Sequence, residues 1–162
     1  MTPVRTMTSV SRGEVIIIRR NSQEELLAKV LLDSTLPFRK SVFRGIYHTR
    51  NALKNIFVNA ADALELSGKE DKVISVSVES SHAWVSLSIR DNGPGIPRKE
   101  LHRVMMPFVS TKSKTSNWGI GLPYAFRVIN AQLGQMRIQS SDQADRSFTQ
   151  VDILLPRERN EA

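Results

Sequence analysis

The chain has 162 residues, 40% of them hydrophobic and 24% charged, with 23 Lys and Arg against 16 Asp and Glu for a formal charge of +7; that is the size and balance of one globular domain with a core of its own. The absence of cysteine excludes a disulfide scaffold, a thiolate nucleophile and a cysteine zinc site, and the three widely separated histidines exclude a His-x-x-x-His metal pair. The longest apolar run, Val15 to Ile18, is strand-sized, so no membrane segment and no secretory leader is expected and the cytoplasm is the default compartment. The basic residues are scattered and not interleaved with aromatics, which argues against nucleic acid and suits a polyanionic nucleotide or an acidic protein.

In chain order, residues 1–13 are polar and patternless and read as a flexible end. Glu14 to Arg20 reads as a strand. Ser22 to Glu25 has the form of a capping box, and Leu26, Leu27, Val30 and Leu31 follow at helical spacing until Pro37 bars continuation. Val42 to Tyr47 is a short strand candidate, so that residues 14–48 form a strand-helix-strand part of the domain. Thr49 is placed to cap a long helix through Leu66, ended by Ser67 and Gly68. Val73–Glu79 and Val85–Ile89 alternate apolar and polar residues, as an antiparallel pair with one buried face does. A helical turn is expected after Pro97, a loop from Pro107 to Asn117, and a helix from Leu122 to Leu133 stopped at Gly134. Strands at Gln135–Ser140 and Thr149–Leu155 precede a charged tail at 157–162. This order favours an α/β (α+β) two-layer sandwich with its core domain over 49–156.

On the long helix, Leu53, Ile56, Phe57, Ala60 and Leu64 make a core stripe. Asn51, Asn55, Asn59 and Asp62 share a second face. Asn and Asp are poor helix formers, and a solvated face more often carries Lys, Glu or Gln, so this wall of oxygens suits a hard cation such as Mg²⁺. Asp91-Asn-Gly93-Pro-Gly95-Ile96 follows directly on a strand, where its glycines allow a tight turn and close approach. Gly119-Ile120-Gly121-Leu122 opens a helix, a natural phosphate site, although neither the P-loop nor the dinucleotide fingerprint is present.

Taken in order, the segments Asn55 to Ala63, Asp91 to Pro97, Pro107 to Lys112 and Trp118 to Leu122 resemble the N, G1, F and G2 boxes of the ATP-binding family shared by sensor histidine kinases, gyrase B, the HSP90 chaperones and MutL. The resemblance is nearest to the nitrogen-regulatory-type kinases, and it covers about Thr49 to Pro156. It implies a Bergerat-type fold, a mixed, mostly antiparallel sheet with helices on one face. The implied ligands are ATP and Mg²⁺, with Asn59 and Asn55 on the metal and with Asn55, Asn59 and Lys112 as the catalytic set. Around ATP the resemblance places Asp62, Asp91, Gly93, Gly95, Ile96, Phe108, Thr111, Lys112, Gly119, Ile120, Gly121, Leu122 and Thr149. Asp91 would accept from the adenine amino group, which selects adenine over guanine.

Relatives that hydrolyse ATP carry a Glu at the position of Asn55. An amide is no general base at neutral pH, so Asn55 argues for phosphoryl transfer to a protein. The sequence departs from the family at Asn117, which stands for a glycine, at Pro123, and at Phe148, which replaces a glycine before Thr149. None of His48, His82 and His102 lies on a helix suited to a phosphoacceptor; His48 is expected at a strand–helix junction. The expected partner is therefore a histidine-bearing dimerisation domain or phosphotransfer protein in trans, with a response regulator downstream. A non-catalytic, nucleotide-dependent binding module and an anti-sigma-type Ser/Thr kinase stand as alternatives.

Overall fold

A computed structural model describes residues 14–18, 46–106 and 121–156. Five strands, β1 (Glu14–Ile18), β2 (Ile74–Ser80), β3 (Trp84–Asp91), β4 (Gln135–Ser141) and β5 (Phe148–Pro156), form one sheet in the order β1-β2-β3-β5-β4. Two helices, α1 (Ile46–Leu66) and α2 (Gly121–Ala131), pack against it. Single 3₁₀ turns lie at Arg98–Glu100, Arg103–Met105 and Ala144–Arg146. Every pairing among these strands is antiparallel, so the parallel pair of a mixed sheet is not found among the described strands.

The two periodicities build the core. Ile74, Val76 and Val78 of β2, Val85, Leu87 and Ile89 of β3, and Val151, Ile153 and Leu155 of β5 all point to one face. That face meets Leu53, Ile56, Phe57, Ala60 and Leu64 of α1 and Ala125 and Ile129 of α2. The stripe expected on the long helix is the stripe that is buried. Each large side chain in it contributes about 1.5–3 kcal/mol. The opposite face of the sheet is polar: the Ser88 hydroxyl donates to Asp152 at 2.7 Å, and the Gln139 and Gln150 amides donate to the same carboxylate.

Some boundaries differ from expectation. α1 begins at Ile46, so Ile46 and Tyr47 are helical rather than part of a strand, and His48 lies in the first turn of α1 rather than at a junction. Thr49 is therefore not the cap. It is buried inside the helix, where its hydroxyl donates to the Gln132 carbonyl at 3.1 Å and the Gln132 amide reaches back to it at 2.8 Å, tying α1 to the end of α2. The far end of α1 is as expected: Gly68 takes φ +65°, the left-handed cap. α2 ends at Ala131, and Leu133 adopts φ 59° before Gly134. Pro123 sits in the first turn of α2, where its missing N–H would have had no helical partner. The helix read from Ser22 to Asp33 lies outside the described residues. Among the described residues no helix is long and apolar enough to cross a membrane.

Candidate active site

Asp91 is the last residue of β3, the central strand, and pairs with Ile74 of β2 and Thr149 of β5. Strand alternation turns its side chain inward, and only 4% of the residue is exposed. The Gly93 N–H donates to its Oδ1 at 2.9 Å. Burial pushes the carboxyl up to about 6; the Gly93 and Thr149 backbone N–H groups and the charges of Lys69 and Arg90 oppose that rise. At neutral pH the group is a carboxylate held in an apolar setting, ready to accept a hydrogen bond.

The turn after Asp91 is fixed at both ends. The Asn92 side chain accepts from the Val73 N–H at 2.9 Å and donates to the Asp71 carbonyl at 2.9 Å. The Ile96 N–H donates to the Ser140 hydroxyl at 2.7 Å. Between them Gly95 has φ +75°, and a β-carbon there would overlap the Ser141 carbonyl. A β-carbon at Gly93 would fall 2.7 Å from Asp91 Oδ1 and 3.2 Å from Ala63 Cβ, so the turn lies directly on α1. Both glycines are thus required by the packing.

Thr149 is the second residue of β5, which begins one residue earlier than expected. Its Oγ1 lies 3.0 Å from the Ser140 hydroxyl, which is 2.6 Å from the Phe148 carbonyl. A hydroxyl has one proton; with Ser140 spending its own on Phe148, Thr149 donates to Ser140 and keeps its lone pairs. Phe148, in place of a glycine, lies on the outer face beneath the Arg90 guanidinium, 3.7 Å from the ring centroid.

Asn55, Asn59 and Asp62 are half-buried on α1. Gly121, the first residue of α2, faces the two asparagines: a β-carbon on it would lie 3.4 Å from Asn55 Cβ and from Asn59 Nδ2. A helix N-terminus and two side-chain amides therefore meet at one place. Leu122 packs against the core beside them. One turn beyond Asn59 along α1 is Ala63, the residue that Gly93 touches. The carboxylate of Asp91 and the Asn55–Gly121 contact thus lie at two stations of one helix face, about 12 Å apart along its axis. Phe108, Thr111, Lys112, Gly119 and Ile120 lie outside the described residues.

Sequence reasoning missed Lys69, Ser140 and Ser147. Lys69 and Ser147 are joined across 78 residues, and Ser140 meets Ile96 across 44; no local pattern marks such pairs.

Among the described residues no group of three or more His, Cys, Asp or Glu is able to hold a metal ion. The donor set of half-buried asparagine amides beside a helix N-terminus fits Mg²⁺, which takes few protein oxygens and completes its shell with phosphate and water.

The profile of the "Histidine kinase-, DNA gyrase B-, and HSP90-like ATPase" family matches residues 47–159. Among curated relatives, sporulation kinase C of Bacillus subtilis is 36% identical over 92 residues, 56% of this chain and 21% of the relative. The signal transduction histidine-protein kinase AtoS of Escherichia coli is 33% identical over 107 residues, 66% of this chain and 16% of the relative. The adaptive-response sensory kinase SasA of Prochlorococcus marinus is 28% identical over 138 residues, 74% of this chain and 36% of the relative. The chain thus spans about a sixth to a third of the length of these relatives. In solved structures, the mycobacterial sensor histidine kinase MprB has the same fold, with a TM-score of 0.63 at 21% identity, covering 88% of this chain and 98% of that one. With the match spanning Asn55, Asp91, Gly121 and Thr149 together, the chain belongs to the histidine kinase-, DNA gyrase B- and HSP90-like ATPase family and is an ATP-binding domain of the type found in sensor histidine kinases.

Proposed function

We propose that this domain binds Mg·ATP along α1 and delivers the γ-phosphoryl group to a histidine on a dimerisation domain or phosphotransfer protein, with a response regulator as the downstream acceptor. The observation that carries the proposal is the arrangement along one helix. A buried carboxylate at Asp91 stands at one end beside Ala63, and Asn59 and the Asn55–Gly121 contact lie about 6 and 12 Å along the helix axis from it.

Asp91 accepts from the adenine amino group and repels a carbonyl oxygen at that position, and the retained lone pairs of Thr149 offer a second acceptor beside it. Gly93, Gly95 and Ile96 form the wall of the base pocket. Gly119, Ile120, Gly121 and Leu122 lead into the α2 N-terminus, which faces the phosphates with Lys112 as a point charge. By the resemblance, Phe108 and Thr111 would cover the nucleotide and Asp62 would belong to the same pocket. Asn55 and Asn59 would hold Mg²⁺, which when bound neutralises phosphate charge.

In the transfer, a ring nitrogen of the acceptor histidine attacks the γ-phosphorus while the bond to the β–γ bridging oxygen breaks. ADP leaves with the electron pair, and the imidazole proton goes to solvent. The domain's own work is positioning and charge neutralisation. Asn55 supplies no base for water, which supports transfer over hydrolysis. The experiment is phosphotransfer from labelled ATP to an isolated histidine-bearing kinase hairpin. Acid-labile phosphate on the hairpin is expected. Acid-stable phosphate on serine, or no transfer by a protein that binds ATP, would overturn the reading.

A further inference from the structure

Lys69 lies in the loop after α1, away from every segment that resembles a nucleotide-binding box. Its ammonium nevertheless reaches into the base end of the site. Nζ donates to the Asn92 carbonyl at 2.7 Å and to the Ser147 hydroxyl at 2.9 Å. Asn92 follows Asp91 in the chain, and Ser147, which is buried, precedes β5. One side chain therefore ties the α1–β2 loop, the turn after β3 and the entry to β5 together. Asn92 ties the same turn to Asp71 and Val73, so the loop and the turn are cross-linked by side-chain hydrogen bonds.

We propose that Lys69 is a positioning residue for the base-binding carboxylate: by bridging Asn92 and Ser147 it fixes the turn that presents Asp91, and it places a positive charge behind that carboxylate. The inference rests on the nucleotide-binding reading above. Around Asp91, β5 supplies the Thr149 N–H, the turn supplies the Gly93 N–H, and α1 supplies the methyl group of Ala63 beside Gly93. Two cations act on it among the described residues, Lys69 and Arg90. Arg90 projects to the other face of the sheet, where it lies on Phe148 and donates to Gln150 at 3.2 Å. Lys69 is thus the cation on the carboxylate's own side. A charged donor anchored on a carbonyl and a hydroxyl costs little further ordering when the nucleotide arrives.

The test uses the intact protein in two arms. In the first, the Asp91 carboxyl is titrated by carbon-13 NMR without nucleotide, its resonance assigned by loss in Asp91→Asn, in wild type, Lys69→Met and Lys69→Arg. The expected result is a midpoint moved to higher pH in Lys69→Met and restored in Lys69→Arg. In the second, ATP affinity is measured against pH in the same proteins; the titration of ATP itself is common to all and cancels. Lys69→Met is expected to weaken binding several-fold near pH 6, with the gap narrowing toward pH 8. An unchanged Asp91 midpoint overturns the proposal even if ATP binds. A fall in affinity by the same factor at every pH, not rescued by Lys69→Arg, reduces Lys69 to a structural strut and also overturns it. A shifted midpoint without any ATP binding in wild type upholds the electrostatic link and instead defeats the nucleotide-binding reading.

Discussion

Gly121 rests against Asn59: a β-carbon at the first position of α2 would lie 3.4 Å from the Asn59 amide nitrogen. The helix whose N-terminus would face the phosphates is thereby set against the amides that would hold the metal. A methyl group at 3.4 Å is tolerable, and Ala gains helix propensity over Gly. Gly121→Ala should keep the protein as stable as wild type or raise stability by up to about 1 kcal/mol. Gly121→Val pushes branches into Asn55 and Asn59 and should lower Mg·ATP affinity at least about tenfold with little change in fold. Thermal unfolding and ATP titration of the two variants check this; equal ATP affinity in Gly121→Val would refute the contact's role.

Gly95 is tested by unfolding alone. Its φ of +75° and its contact with the Ser141 backbone leave no room for a side chain. Gly95→Ala should cost about 2–4 kcal/mol, because strain at a left-handed position and displacement of a backbone carbonyl add. Chemical denaturation should show a lower midpoint, and the site should be lost with it.

Asp91→Asn should move stability and binding in opposite directions. The Asp91 carboxyl is raised from 3.8 to about 6 on folding, so between those values the folded protein binds more protons than the unfolded chain. Stability from this group is full below about pH 4 and is lost as pH rises through 6. Asn does not titrate, so the stability of Asp91→Asn relative to wild type should grow across that window by about 3 kcal/mol and then stay level. ATP binding should be lost at every pH. Urea unfolding at several pH values, paired with ATP titration, measures both. A gain in stability with ATP affinity intact would leave Asp91 a buried carboxylate without a ligand.

Asn59→Ala removes an amide oxygen from the proposed metal site. The increase in ATP affinity that Mg²⁺ produces should fall at least about tenfold, while metal-free binding in a chelator stays near wild type. Titrations with and without Mg²⁺ separate the two; an undiminished Mg²⁺ effect would take Asn59 out of the metal site.

Much of this architecture was legible because it is periodic. Leu53, Ile56, Phe57, Ala60 and Leu64 recur at helical spacing, the strand residues from Ile74 to Val78 and Val85 to Ile89 alternate, and all are buried as their spacing requires. The candidate site was legible because Asn55, Asn59, Asp91 and the glycines cluster into short segments of fixed order. Ile46 and Tyr47 misled because a β-branched and an aromatic residue read locally as strand, whereas packing of the long α1 stripe recruits them into a helix. Thr49 misled for a related reason: its residue type suits a cap, but Gln132, 83 residues on, claims its hydroxyl. The turn's anchors are set by long-range structure: Ser140 by the β4–β5 pairing, and Lys69 and Ser147 by their bond to each other across the sheet end, so no sequence neighbours announce them.

The central claim is that Asp91 reads adenine in an ATP site along α1. Its most direct test is calorimetric titration of the protein with ATP and GTP in Mg²⁺, beside the Asp91→Asn variant. The account predicts micromolar binding of ATP, far weaker binding of GTP, and loss of ATP binding in Asp91→Asn. No heat at millimolar ATP, equal affinity for GTP, or unchanged ATP affinity in Asp91→Asn would contradict it.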